Sequence, residues 1–245
     1  MDTNHVQPGC KAAPDTFFIS VQKDGPYLVY GQPPINEEII TPDAEGHSWT
    51  YTKGESTENC GEPIALCRCG HSAHKPCCDG AHAHVQWDSK ETATKEAIFP
   101  NTRKYEGVDL LLNDNKKRYC AIARFCDNNK DIWELMEEPL DEEKRKTIER
   151  MATYCPSGRL ILVNKTTGKI YEPDLDPSIG ILEDPVMKVS GPIWVKGGIR
   201  VQSADGSSYE IRNRVTLCRC GHSKNKPFCD GAHVKEKFNQ ERYNK

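Results

Sequence analysis

Three cysteines and one histidine recur at the same spacing in two stretches of the chain that are almost identical. The first stretch spans residues 67–82 and the second spans residues 218–233. The repeated residues are Cys67, Cys69, Cys78 and His82 in the first copy, and Cys218, Cys220, Cys229 and His233 in the second. Thiolates and imidazole are soft ligands, so each copy supplies a complete set of four for a metal ion or an iron–sulfur cluster. The sequence therefore predicts at least two cofactor sites.

The spacing inside each copy indicates how its four ligands are divided between two metal ions. Cys67 and Cys69 are separated by one residue, so in an extended loop both side chains point to the same side and can hold one iron. Cys78 and His82 are four residues apart, which places sulfur and imidazole on one face of a helical turn for a second iron. Asp79 follows the third cysteine, where its carboxylate is expected to accept hydrogen bonds from backbone N–H groups. The second copy predicts the same arrangement.

The residues between the ligands also differ in what they can do. Arg68 and Arg219 lie inside the two Cys-x-Cys pairs, where an arginine either tunes a bound cofactor or is simply solvated. Cys77 occupies the position that Phe228 holds in the second copy. We interpret this fifth thiol as a bystander rather than a ligand.

The repeated pattern, Cys-x-Cys-x2-Ser-x3-Pro-x-Cys-Asp-Gly-Ala-His, resembles the CDGSH iron–sulfur family of the mitoNEET type. Ala81 and Ala232 stand where the name-giving motif has Ser. The resemblance implies one [2Fe-2S] cluster in each copy, held by three Cys and one His. Ligand chemistry alone leaves tetrahedral zinc open as an alternative, because zinc also accepts a Cys3His set.

A single histidine ligand has consequences for redox chemistry. A [2Fe-2S] core of charge 2+ with three thiolates and a neutral imidazole carries one negative charge. Its reduction potential is expected above that of plant-type ferredoxins and below that of Rieske centres, which have two His. Protonated imidazole is no longer a ligand, so His82 and His233 predict clusters that are acid-labile and transferable.

A third group of cysteines lies between the repeats. Cys120, Cys126 and Cys155, the last followed by Pro156, resemble the ligands of a divergent single-cluster ferredoxin, with Ala123 at the position of the usual second Cys. Three thiolates suffice for a [3Fe-4S] cluster, or for a [4Fe-4S] cluster whose fourth ligand is water or another side chain. The alternative is three ordinary thiols in a scaffold that has lost its cluster.

The number and placement of the cysteines indicate the redox environment of the protein. The chain has 12 Cys, and most of them fall in the three ligand groups. Since no basic and apolar export signal opens the sequence, we expect reduced thiols and a cytoplasmic protein rather than a disulfide framework. Cys60 or Cys10 could be a distant fourth ligand for the middle group.

Composition excludes several functions. Lys and Arg number 33 against 36 Asp and Glu, for a net charge of -3, and no basic stripe interleaved with aromatic residues occurs. Nucleic acid is therefore not an expected partner. Short apolar runs such as residues 160–163 cannot span a bilayer, so no membrane association is expected.

The repeat also extends upstream of the ligands. Residues 25–31 match residues 191–197, each an apolar run opened by Gly-Pro and closed by Gly, and both are predicted strands. Residues 64–66 and 215–217 are predicted to be short strands that lead into the first Cys. The first copy has an insertion at residues 39–60, rich in Glu, Gly, Ser and Thr, which predicts a solvated loop.

The middle segment predicts a strand, a helix and a hairpin of its own. Residues 108–112 are the strand, and Asp141 caps a helix that continues to residue 151. Residues 160–171 are typical of a β-hairpin.

We therefore expect a loop-rich α+β fold, in which two β-rich CDGSH units form a pseudo-dimer, together with a small ferredoxin-like α+β domain. The predicted boundaries are 1–16 (disordered), 17–90 (first unit), 91–104 (linker), 105–172 (ferredoxin-like domain), 173–187 (linker) and 188–245 (second unit). Because single-motif relatives of this family are homodimers, two units in one chain predict a monomer.

Electron transfer is the leading expectation for function, with cluster storage or donation beside it. No nucleophile–base pair or phosphate-binding Gly loop is visible in the sequence, which argues against an enzyme with its own organic substrate. The expected partner is a redox protein or an apo-acceptor protein. Two rivals remain: a zinc-stabilised interaction module, and an enzyme that uses the clusters internally.

Overall fold

The computed structural model describes residues 5–57, 60–115, 117–239 and 243. The first repeat contains β1 (Phe18–Val21), β2 (Tyr27–Tyr30), β3 (Ile35–Pro42), β4 (Ser48–Ser56) and β5 (Ile64–Leu66). The middle segment contains β6 (Arg103–Glu106), β7 (Leu110–Asp114), β8 (Asp127–Asn128), β9 (Lys130–Asp131), α1 (Ile132–Glu137), α2 (Glu142–Thr153), β10 (Leu160–Asn164) and β11 (Ile170–Tyr171). The second repeat contains β12 (Ser178–Asp184), β13 (Val189–Lys196), β14 (Arg200–Gln202), β15 (Arg214–Leu217) and α3 (Ala232–Lys235). The fold is α+β and rich in loops, as predicted.

Each repeat contributes to the sheet of the other. β1, β2 and β5 of the first repeat form a sheet with β14 of the second, which runs parallel to β1. β12, β13 and β15 of the second repeat form a sheet with β3 of the first, which runs parallel to β12, and β4 extends this sheet at its edge. Because the exchange is reciprocal, the two repeats form the predicted pseudo-dimer within one chain.

One hydrophobic core lies under both sheets and is built by both repeats. Ile19 and Tyr27 of the first repeat pack in it with Ile193 and Leu217 of the second, and all four side chains are fully buried. Burial alternates along β2, as expected for a strand with one covered face. The two repeats therefore stabilise each other and do not form independent domains.

The predicted solvated loop at residues 39–60 is wrong, since most of it forms the hairpin of β3 and β4. Ile40 is buried, and the Tyr51 ring packs against Phe125 and Trp194, with ring centroids 4.6 Å away in both cases. The Tyr51 hydroxyl donates to the Tyr154 carbonyl oxygen over 2.9 Å. Many polar side chains on the exposed face concealed the strand pattern of this insertion.

The predicted linkers also contain structure. β12 lies inside the predicted linker 173–187 and is nearly continuously buried at the centre of its sheet. An Asp-Pro pair at either end of this short apolar run is typical of a loop, and this obscured the strand. In the predicted linker 91–104, Ile98 packs into the shared core.

Part of the predicted disordered N-terminus is placed against the second repeat. Residues 1–4 lie outside the described residues, but Val6 forms a bridge with Ile211. The Gln7 amide donates to the Ile211 carbonyl over 2.9 Å, and the Ala13 amide donates to the Gly198 carbonyl over 3.0 Å. This part of the chain therefore differs from the prediction.

The middle segment has the predicted strand, helix and hairpin. β6, β7, β10 and β11 form one sheet, on which α1 and α2 pack around the buried residues Leu112, Ile148 and Met151. Asp141 caps α2 by accepting the Lys144 amide over 2.8 Å. Within the described residues, no helix is long and apolar enough to cross a membrane.

Candidate metal centres

The structure brings the four predicted ligands of the first set together as two pairs. The Cys67 and Cys69 sulfurs are 3.8 Å apart, and the Cys78 sulfur is 3.3 Å from His82 Nδ1. Two thiolates on one tetrahedral ion, with bonds of about 2.3 Å, lie about 3.8 Å apart, and a thiolate and an imidazole lie about 3.6 Å apart. Each pair therefore has the spacing that one ion requires.

The second set repeats this geometry. The Cys218 and Cys220 sulfurs are 3.7 Å apart, and the Cys229 sulfur is 3.5 Å from His233 Nδ1. The agreement between the copies extends to the backbone, since the first Cys of each set donates to the carbonyl of the motif proline over 2.8 Å. The two ligand loops therefore have the same conformation and the same ligand spacing.

Neither set is arranged around a single ion. One tetrahedral zinc would bring all four ligand atoms within about 3.8 Å of one another. In the described part of the chain, three ligand atoms of His, Cys, Asp or Glu lie mutually within 4.8 Å at Asp43, Glu45 and His47, in a partly exposed loop, but not in either Cys3His set. The four ligands of each Cys3His set are therefore split between two neighbouring positions.

The thiols of each Cys-x-Cys pair are poised to bind metal. A hydrogen bond from Cys69 lowers the pKa of Cys67 to about 5, and one from Cys220 lowers the pKa of Cys218 to about 7. Burial raises the pKa of Cys78 and of Cys229. One thiolate of each set is therefore available near neutral pH, and metal must displace the remaining protons.

Asp79 positions the loop, as predicted. Its carboxylate accepts the amides of Ala73, over 2.8 Å, and Ala81, over 3.0 Å, and these bonds lower its pKa. Asp230 accepts the amides of Lys224 and Ala232 in the same way. These two carboxylates tie the third Cys to the loop before it.

The middle thiols are also neighbours. Burial raises the pKa of Cys126 to about 12, and negative charge on Cys155 and Cys120 contributes. In the loop between Cys120 and Cys126, Ile122 and Arg124 have positive φ values of 52° and 62°. Such strain in residues other than glycine concentrates at ligand-binding loops.

The same loop contains amides that lack acceptors. Ala121, Ala123 and Phe125 are buried, and no hydrogen-bond acceptor for their N–H groups lies in the described part of the chain. Buried N–H groups require a partner. Sulfide and thiolate sulfur would supply one, so the loop fits around a cluster bound by the three neighbouring Cys.

Comparison with known families agrees with this geometry. Residues 24–83 and 190–234 match the family described as iron-binding zinc finger CDGSH type, and residues 105–165 match the family described as divergent 4Fe-4S mono-cluster. The chain consists of two CDGSH units around a divergent 4Fe-4S mono-cluster unit. It is therefore an iron–sulfur protein. A search of curated proteins and a search of solved structures gave no match.

The arginines inside the CDGSH motifs are structural and not solvated, because each is only 2% exposed. Arg68 donates to the backbone carbonyls of Gly25, Ser89 and Gln22 over 2.9–3.0 Å. Arg219 also donates to two backbone carbonyls but forms, in addition, an ion pair with Glu183 Oε1 over 2.7 Å. The two CDGSH sites therefore differ in local charge.

The CDGSH sites also differ in exposure. Cys78 and His82 are partly exposed, whereas Cys229 and His233 are 3% and 4% exposed. Burial, followed by the positive charge of Arg219, lowers the pKa of His233 to about 4. The second site is thus closed to solvent and the first is open to it.

Two cysteine predictions require correction. Cys60 and Cys77 form a disulfide, so they are not the reduced thiols that the sequence predicted, and Cys60 is not a fourth ligand for the middle unit. Cys10 lies in a groove with Glu172 and Asn213, and burial raises its pKa to about 11. Cys10 as a fourth ligand of the middle unit stays a prediction.

The charged residues around the middle thiols were not predicted from the sequence. Arg159 forms a buried, two-bond ion pair with Asp114 over 2.6 and 2.7 Å. Arg214 pairs with Glu172 over 2.9 Å and donates to the Cys155 carbonyl. No local motif marks these residues, since their partners are more than 40 positions away in the chain. Both arginines lie beside the middle thiols as members of buried ion pairs, so they supply hydrogen-bond donors there while a carboxylate balances each charge.

Proposed function

We propose that the protein carries single electrons through two [2Fe-2S] clusters, one in each CDGSH unit, and a third cluster in the middle unit. The observation that carries this proposal is the division of each Cys3His set into two pairs, at 3.8 and 3.3 Å in the first unit and 3.7 and 3.5 Å in the second. Two adjacent irons need this division, and the clusters supply reversible one-electron chemistry.

The middle cluster is [3Fe-4S], or [4Fe-4S] with a ligand other than cysteine at one iron. Three neighbouring thiols and the unpaired amides around them support it. Ala123 excludes a cysteine at the usual second position, where it packs with Ile40 and Phe125.

The proposed partner is a redox protein, and the chain itself is not an enzyme. Cluster donation to an apo-acceptor protein is the second candidate function. It is favoured by the partial exposure of Cys78 and His82, because a cluster must be reached before it can be handed over. The buried second unit lacks this access, so donation would involve the first cluster.

Redox titration of the purified chain, with and without an apo-ferredoxin as acceptor, separates these functions. Electron transfer predicts reversible reduction of all centres, with iron retained by the chain in the presence of the acceptor. Movement of iron and visible absorbance to the acceptor would instead establish donation. Failure of the CDGSH centres to reduce at any accessible potential would overturn the proposal of electron transfer.

A further inference from the structure

The second CDGSH loop lies directly against the ligand loop of the middle unit. Gly231, between the ligands Cys229 and His233, has a φ of +87°, and a Cβ added there would be 3.0 Å from the Cys120 carbonyl oxygen and 2.5 Å from Ile122 Cδ1. Burial raises the pKa of Cys229, and negative charge on Cys120 adds to this effect. The backbone between two ligands of the second site thus lies against the backbone of a ligand of the middle site.

The same CDGSH loop also touches its counterpart in the first unit. A Cβ on Gly70 would lie 2.5 Å from the Cys220 carbonyl oxygen, and Gly221 meets the Cys69 backbone in the reciprocal way. Both glycines have positive φ values that permit this close approach. The second site therefore lies between the other two, and each contact runs through a ligand residue or its neighbour.

The middle unit closes the second site on its outer side. The Tyr119 ring packs against Phe228 with ring centroids 5.5 Å apart, and Asn225 Nδ2 donates to the Arg118 carbonyl over 3.0 Å. In the first unit, the position of Phe228 is held by Cys77, which is joined to Cys60 instead. This difference leaves the first site exposed and the second covered.

Local charge gives the two CDGSH centres different affinities for an electron. Reduction adds negative charge, which water and an uncompensated cation stabilise and which burial disfavours. The first centre has solvent access and a buried Arg68 bonded to carbonyls, with no ion pair to a carboxylate among the described residues. The second centre is buried, and its Arg219 is paired with the Glu183 carboxylate, whose negative charge opposes reduction. The first centre is therefore the better electron acceptor.

We infer that the three centres form a linear relay in the order middle, second CDGSH, first CDGSH, with the first CDGSH centre as the solvent-facing terminal. This inference rests on the proposed function. In each step one centre loses an electron and its neighbour gains it, with no bond made or broken. A one-electron redox protein reduces the middle centre, and a second one-electron acceptor takes the electron from the exposed first centre.

Electron paramagnetic resonance of the full chain tests the order. The CDGSH signals are assigned with His82→Cys and His233→Cys, each of which shifts the g values of one centre. In its paramagnetic state, the middle cluster should shorten the spin relaxation time of the second CDGSH signal several-fold more than that of the first. Cys126→Ser, or Cys155→Ser if the first variant does not fold, should remove this difference.

A redox titration of matched variants tests the direction. The first CDGSH centre should have the higher midpoint potential, and Glu183→Gln should raise the potential of the second centre alone and narrow the gap. The control is Glu38→Gln, which removes the carboxylate paired with Lys196 in the same sheet and should shift neither potential.

These experiments distinguish failure of the relay order from failure of the proposed electron-transfer function. A chain that holds all three clusters but shows equal relaxation of both CDGSH signals, or a higher potential at the second centre, overturns the relay and leaves electron transfer intact. A chain with iron in the CDGSH sites only overturns the proposed third cluster, and the relay with it.

Discussion

At the scale of residues, spacing along the chain predicts the ligands but not their surroundings. The Cys-x-Cys and Cys-x3-His spacings are local, so the sequence is sufficient to pair the ligands that the structure places 3.3–3.8 Å apart. Whether a site is open or closed depends on residues such as Ile122, which meets Gly231 from 109 positions away. Two nearly identical motifs therefore give two unequal sites.

The histidine ligands should release the two clusters at different pH. Neutral imidazole is the ligand, so a lowered pKa keeps His233 bound to lower pH, whereas His82 lacks this burial and is partly exposed. Loss of visible absorbance on stepwise acidification should show two phases, with the first cluster lost at the higher pH. His82→Cys should abolish the early phase and His233→Cys the late one; loss kinetics unchanged by both variants would refute this role of histidine.

Two equivalent glycines provide a matched test of packing. Gly80 and Gly231 share a φ of 87°, but a Cβ on Gly80 would meet nothing within 4 Å. Gly80→Ala should cost about 1 kcal/mol through backbone strain alone. Gly231→Ala should cost about 1–3 kcal/mol more, because it overpacks the contact with Cys120. Chemical denaturation of both variants measures the difference, and equal losses would contradict the close approach of the two ligand loops.

At the scale of elements, periodicity predicts the strands beside the ligands and the helix of the middle unit, but not the exchange between the repeats. β3 and β12 pair in parallel although more than 130 residues separate them, and no local pattern specifies such a partner. β12 was missed because its apolar run is short and lies between two prolines. The pairing of these strands depends on the core that the two repeats share, and no local sequence pattern indicates that core.

The β3–β4 hairpin should anchor the middle unit to the pseudo-dimer through Tyr51. Tyr51→Phe removes the hydroxyl bond to the Tyr154 carbonyl and should cost about 1 kcal/mol. Tyr51→Ala also removes the ring contacts with Phe125 and Trp194 and should cost about 3 kcal/mol or more. Lys53→Ala, at an exposed position of the same strand, is the control. Thermal unfolding checks the order, and a Tyr51→Ala midpoint equal to that of the control would show that the hairpin is only peripheral.

At the scale of the whole molecule, strand exchange inside one chain replaces the two-fold axis of a homodimer and permits asymmetry. Exact symmetry would force both CDGSH sites to be alike. Here one unit carries the insertion that forms β4, and the ligand loop of the middle unit packs on the ligand loop of the other. Internal duplication thus allows one site to be buried while the other remains open.

Because the exchanged strands are already supplied within the chain, the protein should be a monomer. Light scattering coupled to gel filtration should give a mass near the 27.6 kDa of a single chain. A mass of twice that value, unchanged on dilution, would show that the pseudo-dimer does not complete the assembly.

The most direct test of two-iron clusters in the CDGSH units is elemental analysis of the purified chain for iron, zinc and acid-labile sulfide. The account predicts a red-brown protein without zinc, with about two irons and two sulfides for each CDGSH unit and about three or four irons for the middle unit. A colourless protein with one zinc in each CDGSH unit and no labile sulfide would contradict it.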